Sequence, residues 1–222
     1  MRLSEMEYID VHTHSRRGNG IFVQNIFAQD LTDHFVPEVF CSIGFHPWHI
    51  EQYPAEKMIT ALKTHAGNKL VLAIGECGLD KNIPTTLSDQ EKIFLAQLQI
   101  AEFVSKPVII HCVKAYTEII KLRKSGKWKV PWLFHWFHSS YEVAMELIEL
   151  GCYLSFGRSL LKPDGKNAGV FAKLPMDRLF LETDDANVSI EELYQRAVQF
   201  KEIKRDELSR SIRINFNRLF GI

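Results

Sequence analysis

Long apolar runs, clustered cysteines and a signal-like segment are all missing from this 222-residue chain. No stretch approaches the roughly 18 apolar residues of a transmembrane helix, so the sequence predicts no membrane span. Its four cysteines are scattered without CxxC spacing, and the first eleven residues contain no continuous apolar core. We therefore expect reduced cysteines in a cytoplasmic protein.

An excess of charge of one sign is also missing, because 27 basic and 27 acidic residues cancel. Broad affinity for nucleic acids depends on a basic surface, so the balance argues against it and leaves a local site for an anionic substrate open. Internal repeats, low-complexity tracts and Pro/Gly-rich linkers are absent too. We expect one domain over residues 1–222 and see no obligate protein partner.

Apolar runs alternate with amphipathic helical windows along the chain. Runs typical of parallel strands covered by helices on both faces occupy residues 69–76, 107–112, 131–137, 152–156 and 178–184. The capping-box pattern of a helix start, Ser followed by Glu three residues later, occurs at 88–91, 139–142 and 189–192. The alternation predicts βαβ units and a parallel sheet. Residues 15–50 are the least regular part and show no clear helix between the first strand and the next.

The first apolar run, "YIDVHTH" (8–14), carries three ionisable side chains at alternating positions. In a strand, Asp10, His12 and His14 would share one face. Buried polar groups without a partner cost roughly 1–3 kcal/mol each, so something should compensate. Two neutral imidazoles converging on a cation, one of them oriented by the carboxylate, would do so.

Other ionisable side chains end later apolar runs: Glu76, His111, His135 and Asp184. In parallel α/β barrels the carboxyl ends of the strands form the active-site face, and residues from several ends make up one site. Four histidines and two carboxylates at successive strand ends are typical ligands of one or two divalent metal ions.

At this point the sequence resembles the TatD-type metal-dependent hydrolases, a branch of the amidohydrolase-like barrels. Seven motifs in the right order carry the resemblance, namely "DVHTH" (10–14), "GFHPW" (44–48), "GECGLD" (75–80), "PVIIHC" (107–112), "HWF" (135–137), "LETD" (181–184) and "NFNRLFG" (215–221). The resemblance implies a TIM-type (β/α)8 barrel, here shortened or irregular after the first strand. It also implies a deoxyribonuclease-like phosphodiesterase acting on single-stranded or terminal nucleic acid.

The resemblance further implies roles for named residues. The implied metal ligands are His12, His14, Glu76, His111, His135 and Asp184. Glu76 would bridge two ions, and Zn²⁺, Mn²⁺ and Mg²⁺ all suit the mixed donors. Asp184 would also act as general base, which makes Asp184 and Glu76 the implied catalytic residues. His46 would face the substrate phosphate or support a ligand, and Lys114 is a candidate for substrate binding.

Some positions depart from the family pattern and leave the substrate open. Val113 stands where the family usually has an Arg two residues after the histidine of the fifth strand. The adjacent Lys114 is no equivalent, because lysine lacks the bidentate geometry of arginine. The alternatives are therefore a metallohydrolase of esters, amides or small phosphorylated metabolites, and a non-catalytic metal-binding relative.

Overall fold

A computed structural model describes residues 7–162 and 165–222. Within them the strands are β1 Ile9–Thr13, β2 Ile21–Phe27, β3 Cys41–Gly44, β4 Val71–Asp80, β5 Val108–Val113, β6 Trp132–Phe134, β7 Tyr153–Phe156 and β8 Leu179–Leu181. The α-helices of the same residues are α1 Ala55–His65, α2 Leu87–Val104, α3 Tyr116–Lys124, α4 Tyr141–Glu149, α5 Lys166–Lys173, α6 Ile190–Lys201 and α7 Arg205–Phe220. Across this described part of the chain, no helix is long and apolar enough to cross a membrane.

One compact unit comprises residues 24–135. Its strands from β2 to β6 are parallel, and each pairs with the next along the chain. α1, α2 and α3 connect strands of this unit. The parallel order brings the carboxyl ends of β3, β4, β5 and β6 to the same edge, as the sequence predicts for βαβ units.

The second compact unit comprises the residues up to 23 together with those from 136 onward. β7 and β8 pair in parallel, with Ser155 opposite Phe180. An isolated parallel bridge joins Thr13, at the end of β1, to Asp184 just beyond β8. α4, α5, α6 and α7 belong to this unit. The single domain over residues 1–222 stays a prediction.

The structure agrees with the sequence prediction in the segment after β1 and differs from it at the end of β4. Residues 14–40 contain β2 and a short 3₁₀ turn but no α-helix, which confirms the irregular connection after the first strand. The run 69–76 was predicted to end at Glu76, whereas β4 continues to Asp80 and is buried throughout. Glycine makes the continuation possible, since a Cβ at Gly78 would overlap the backbone carbonyl oxygen of His111.

The predicted helix starts are confirmed in one case out of three. Ser189 and Glu192 form the capping box of α6. The starts predicted at 88 and 139 are wrong, because Thr86 caps α2 and Ser140 caps α4. Thr86 and Ser140 have the extended backbone and the side-chain bond to a helix N–H that a cap requires.

Candidate metal centre

In the unit of residues 24–135, three histidines lie within hydrogen-bonding distance of Glu76, and one further carboxylate contacts one of these histidines. We call this group the Glu76 cluster. Its members are Glu76, His46, Asp80, His111 and His135. The Glu76 carboxylate oxygen Oε1 lies 2.7 Å from His111 Nδ1, 2.7 Å from His135 Nε2 and 3.1 Å from His46 Nε2. All five residues are buried. His46 and His135 lie just beyond β3 and β6, Asp80 ends β4, and Glu76 and His111 lie in the carboxyl-terminal halves of β4 and β5.

His111 is held between two carboxylates. Its Nε2 lies 3.2 Å from Asp80 Oδ2, opposite the Nδ1 that faces Glu76. Burial works against a positive charge here, but the hydrogen bonds to Asp80 and Glu76 outweigh it and raise the pKa of His111. Burial likewise opposes the charge of Asp80, yet hydrogen bonds from His111, from Trp48 and from a backbone N–H lower the Asp80 pKa to about 2. Asp80 is therefore a fixed anion that orients His111.

The tautomer of His46 follows from its two contacts. Its Nδ1 accepts a hydrogen bond from the backbone N–H of Trp48 at 3.2 Å. Burial lowers the His46 pKa to about 4, so the ring is neutral at pH 7. The proton must then sit on Nε2, which donates to Glu76. Both ring nitrogens are engaged within the protein, and this favours support of Glu76 over contact with a phosphate; the substrate role of His46 stays a prediction.

Buried amides hold the backbone around the Glu76 cluster. Asn25 Oδ1 accepts from the backbone N–H of Glu76 at 2.9 Å. Gln90 on α2 bonds both the N–H and the C=O of Asp80, and Gln97 bonds both backbone groups of Phe45, the residue before His46. Gln90 and Gln97 are seven positions apart and so share one face of α2. That helix face therefore fixes the chain where two cluster residues are placed.

A second group, the Asp184 cluster, lies in the other unit and consists of His12, His14 and Asp184. Asp184 Oδ1 lies 3.5 Å from His12 Nε2 and 3.2 Å from His14 Nε2. The backbone locks the three together, because Asp184 N–H donates to the His12 carbonyl and His14 N–H donates to the Asp184 carbonyl. His12 is fully buried, whereas His14 is partly exposed.

Asp10 supports the Asp184 cluster through the backbone. Its two carboxylate oxygens accept from the N–H and the hydroxyl of Thr183, at 3.0 and 2.6 Å. Burial raises the Asp10 pKa to about 7. Asp10 thus holds the residue directly before Asp184, and orientation of His12 by Asp10 stays a prediction.

Left-handed backbone conformations recur just beyond the strands β5, β6 and β8. Lys114 after β5, Trp136 after His135 and Asp184 after β8 have φ values of 55°, 43° and 52°. Non-glycine residues pay roughly 1–3 kcal/mol for sparsely populated conformations, which concentrate at functional sites. At the end of β5, the predicted substrate-binding residue Lys114 is exposed, and Val113, which stands in place of the family's arginine, is half-buried.

The donor atoms fit a divalent metal ion. His111 Nδ1 and His135 Nε2 are 3.4 Å apart, the separation expected for two nitrogens about 2.1 Å from one ion in tetrahedral coordination. Asp80 holds the other nitrogen of His111, the usual arrangement for a metal-bound histidine. Glu76, His111 and His135 are therefore able to hold a metal.

Comparison with known proteins agrees with this chemistry. The family model described as TatD related DNase matches residues 23–221. The chain belongs to the TatD related DNase family.

Its TatD relatives include metal-dependent hydrolases. The "uncharacterized metal-dependent hydrolase YabD" of Bacillus subtilis is 29% identical over 200 residues, covering 83% of this chain and 78% of the relative. The "3'-5' ssDNA/RNA exonuclease TatD" of Escherichia fergusonii is 34% identical over 163 residues, covering 71% of this chain. The chain matches only 61% of that exonuclease's length.

Solved structures of TatD proteins show the same fold. The TatD homologue YJJV of Escherichia coli K12 aligns with a TM-score of 0.79 and 21% identity, over 97% of this chain and 98% of the other. A TatD-family hydrolase from Entamoeba histolytica aligns with a TM-score of 0.75 and 15% identity, over 96% of this chain and 98% of that one. The predicted TIM-type (β/α)8 fold class is confirmed.

The structure brings the sequence-predicted metal ligands together within two clusters, and it adds supporting residues that sequence reasoning missed. Asp80, Asn25 and Trp48 have no role in the sequence-based prediction, although Asp80 stands four residues after Glu76 with the alternation seen at 10–14. That alternation was a usable signal for Asp80. Asn25 gave none, because its contact with the Glu76 backbone joins residues 51 positions apart.

Proposed function

We propose that this TatD-family hydrolase is a metal-dependent phosphodiesterase that acts at single-stranded ends of nucleic acids in the cytoplasm. The observation that carries the proposal is the convergence of His111 and His135 on one oxygen of Glu76, at 2.7 Å each. Relatives named as ssDNA/RNA exonucleases support the substrate class. The reduced state of all four cysteines is in keeping with the location.

We propose one or two divalent ions, Zn²⁺, Mn²⁺ or Mg²⁺, as cofactor. Glu76, His111 and His135 are the proposed ligands in the Glu76 cluster, and His12, His14 and Asp184 are the proposed ligands in the Asp184 cluster. A bound divalent ion would polarise a phosphoryl oxygen and lower the pKa of water. Bridging of two ions by Glu76 is implied by the family resemblance and stays a prediction.

The side chains around the ligands have separate tasks in the proposed reaction. Asp184 takes the proton of the attacking water as general base, and His12 and His14 lie 3.5 and 3.2 Å from its Oδ1. Asp80 keeps His111 oriented, and His46 donates to Glu76, so that neither ligand has to reorganise when substrate arrives. The chain thus supplies a fixed frame and a proton acceptor.

Binding of the substrate should be local. The chain has no net charge, and Val113 gives no clamp for a phosphate. Arg158 is one cation with a fixed direction, because its guanidinium lies 4.7 Å from the ring centroid of Trp136. Lys114, exposed after β5, remains the other proposed contact. Because few cations are available to bind phosphates, the site favours a flexible end over a long duplex.

The test is an assay of the metal-loaded protein on a 5′-labelled single-stranded oligonucleotide and on a matched duplex. We expect a ladder of products shortened from the 3′ end of the single strand, dependent on added metal and abolished in Glu76→Gln. Hydrolysis of the duplex interior would overturn the preference for ends. Glu118→Gln, at a half-exposed glutamate on α3, is the matched control and should leave the ladder unchanged.

A second candidate, a hydrolase of esters or small phosphorylated metabolites, is favoured by Val113 alone. The two candidates separate with the variant Val113→Arg. If a nucleic acid is the substrate, the added guanidinium should raise kcat/KM on the oligonucleotide. Turnover of a simple ester or phosphomonoester, with no cleavage of oligonucleotides by either protein, would establish the second candidate instead.

A further inference from the structure

Trp48 is an exposed aromatic ring directly beside the Glu76 cluster. It lies in a short 3₁₀ turn, Pro47–His49, that begins right after His46. The side chain is 55% exposed, although a tryptophan normally gains stability by burial. Its ring nevertheless meets the cluster, since its centroid is 4.8 Å from that of His46 and 5.8 Å from that of His111, both edge-on.

The ring is held rigidly in this exposed position. Trp48 Nε1–H donates to Asp80 Oδ2 at 2.7 Å, and the same oxygen lies 3.2 Å from His111 Nε2. At the backbone, the Trp48 N–H donates to His46 and its carbonyl accepts from Gln52 at 3.0 Å. The polar edge of the indole is therefore engaged, and the surface that remains exposed is apolar and flat.

A rigid, exposed indole suits a planar partner. Nucleobases stack on aromatic side chains at single-stranded ends with little dependence on sequence, because every base has a flat aromatic face. The ring centroid of Trp48 lies 5.8 Å from that of His111, a proposed metal ligand. At this distance, a nucleotide whose phosphate reaches His111 can place its base on Trp48. The hydrogen bond to Asp80 further couples the position of the ring to that of His111.

We propose that Trp48 is a substrate-binding residue that stacks on the unpaired base next to the scissile phosphate. The inference deepens the proposed phosphodiesterase function and rests on it. Stacking on a base requires that the base be unpaired or frayed, so Trp48 would select flexible ends over a closed duplex. Asp80 acts as a positioning residue for both Trp48 and His111.

The test compares three variants of the full-length, metal-loaded protein. Trp48→Ala removes the ring, and Trp48→Phe keeps an aromatic face but loses the bond to Asp80. Phe103→Ala is the matched control: Phe103 is 90% exposed on the same unit but lies about 20 Å along α2 from Gln90, the residue that holds Asp80. The ligands are two short fluorescent oligothymidylates with hydrolysis-resistant phosphorothioate linkages, one ending in a 3′ thymidine and the other in an abasic residue.

Wild-type protein should bind the thymidine end at least about fivefold more tightly than the abasic end, the lower end of the range expected for one stacked base. Trp48→Ala should lose this difference, Trp48→Phe should keep most of it, and Phe103→Ala should leave it unchanged. Binding of the thymidine end should also quench tryptophan fluorescence in wild type but not in Trp48→Phe. Equal discrimination by wild type and Trp48→Ala would overturn the proposal. So would equal loss in Trp48→Phe and Trp48→Ala, because the bond to Asp80 would then be responsible.

Failure of the wider proposal gives a different pattern. If wild type cleaves oligonucleotides, and Trp48→Ala cleaves both base-bearing and abasic ends at the same rates as wild type, the phosphodiesterase function stands and the stacking role of Trp48 is wrong. If no oligonucleotide is cleaved while the Trp48-dependent discrimination is observed, stacking is confirmed and the reaction assigned to the site is wrong.

Discussion

Glu76→Gln is the sharpest test of the metal centre, because it keeps the shape of the side chain and removes only its charge. Three imidazole nitrogens lie within 2.7, 2.7 and 3.1 Å of Glu76 Oε1. Loss of a residue that merely supports a metal ligand weakens binding about 10- to 100-fold. Since Glu76 is itself a proposed ligand, we take 100-fold, or about 2.7 kcal/mol, as the lower bound for the loss.

Competition with a chromophoric chelator measures this loss, and elemental analysis gives the stoichiometry. Glu118→Gln makes the same change at an exposed ion pair, Lys81–Glu118 at 2.6 Å, and should bind metal as wild type does. Circular dichroism of Glu76→Gln should match wild type, because the amide oxygen can still accept from the histidines. A metal dissociation constant within threefold of wild type in Glu76→Gln would refute the assignment of Glu76 as a ligand.

Three more outcomes are expected. Asp184→Asn should lower turnover at least about 100-fold at unchanged fold, the lower end for loss of a general base; near-normal kcat would remove Asp184 from that role. Asp10→Ala should lower the free energy of unfolding by about 1–3 kcal/mol because it strands the buried Thr183 N–H, whereas Asp10→Asn should change it by less than about 1 kcal/mol; urea titrations that show equal losses would contradict this. Oligonucleotide affinity should fall with salt at a log–log slope of about −1 to −3, and a slope near −6 would reveal an extended basic track.

The strand ends were predictable because two independent patterns agree there. Alternation with a period of two places His12 and His14 on one strand face, and the end of an apolar run marks where a parallel strand leaves the sheet. The same logic ended the run at Glu76, whereas β4 continues through Gly78 to Asp80. In the structure the glycines at 75 and 78 let β4 and β5 approach closely and carry the alternation on to Asp80.

The supporting glutamines Gln90 and Gln97 were beyond sequence reasoning for a physical reason. A glutamine on an amphipathic helix reads as solvent-facing, and nothing local to Gln90 or Gln97 distinguishes it from the exposed Gln99 two residues further on. Their side chains bond the backbone of Asp80, the last residue of β4, and of Phe45, the residue after β3. A buried peptide N–H or C=O left without such a partner costs roughly 1–3 kcal/mol. The need arises only once the loops after β3 and β4 are packed beneath the helix. The chemistry of the side chains can therefore suggest candidate catalytic residues, whereas supporting residues such as Gln90 and Gln97 become visible only when the fold places distant parts of the chain together.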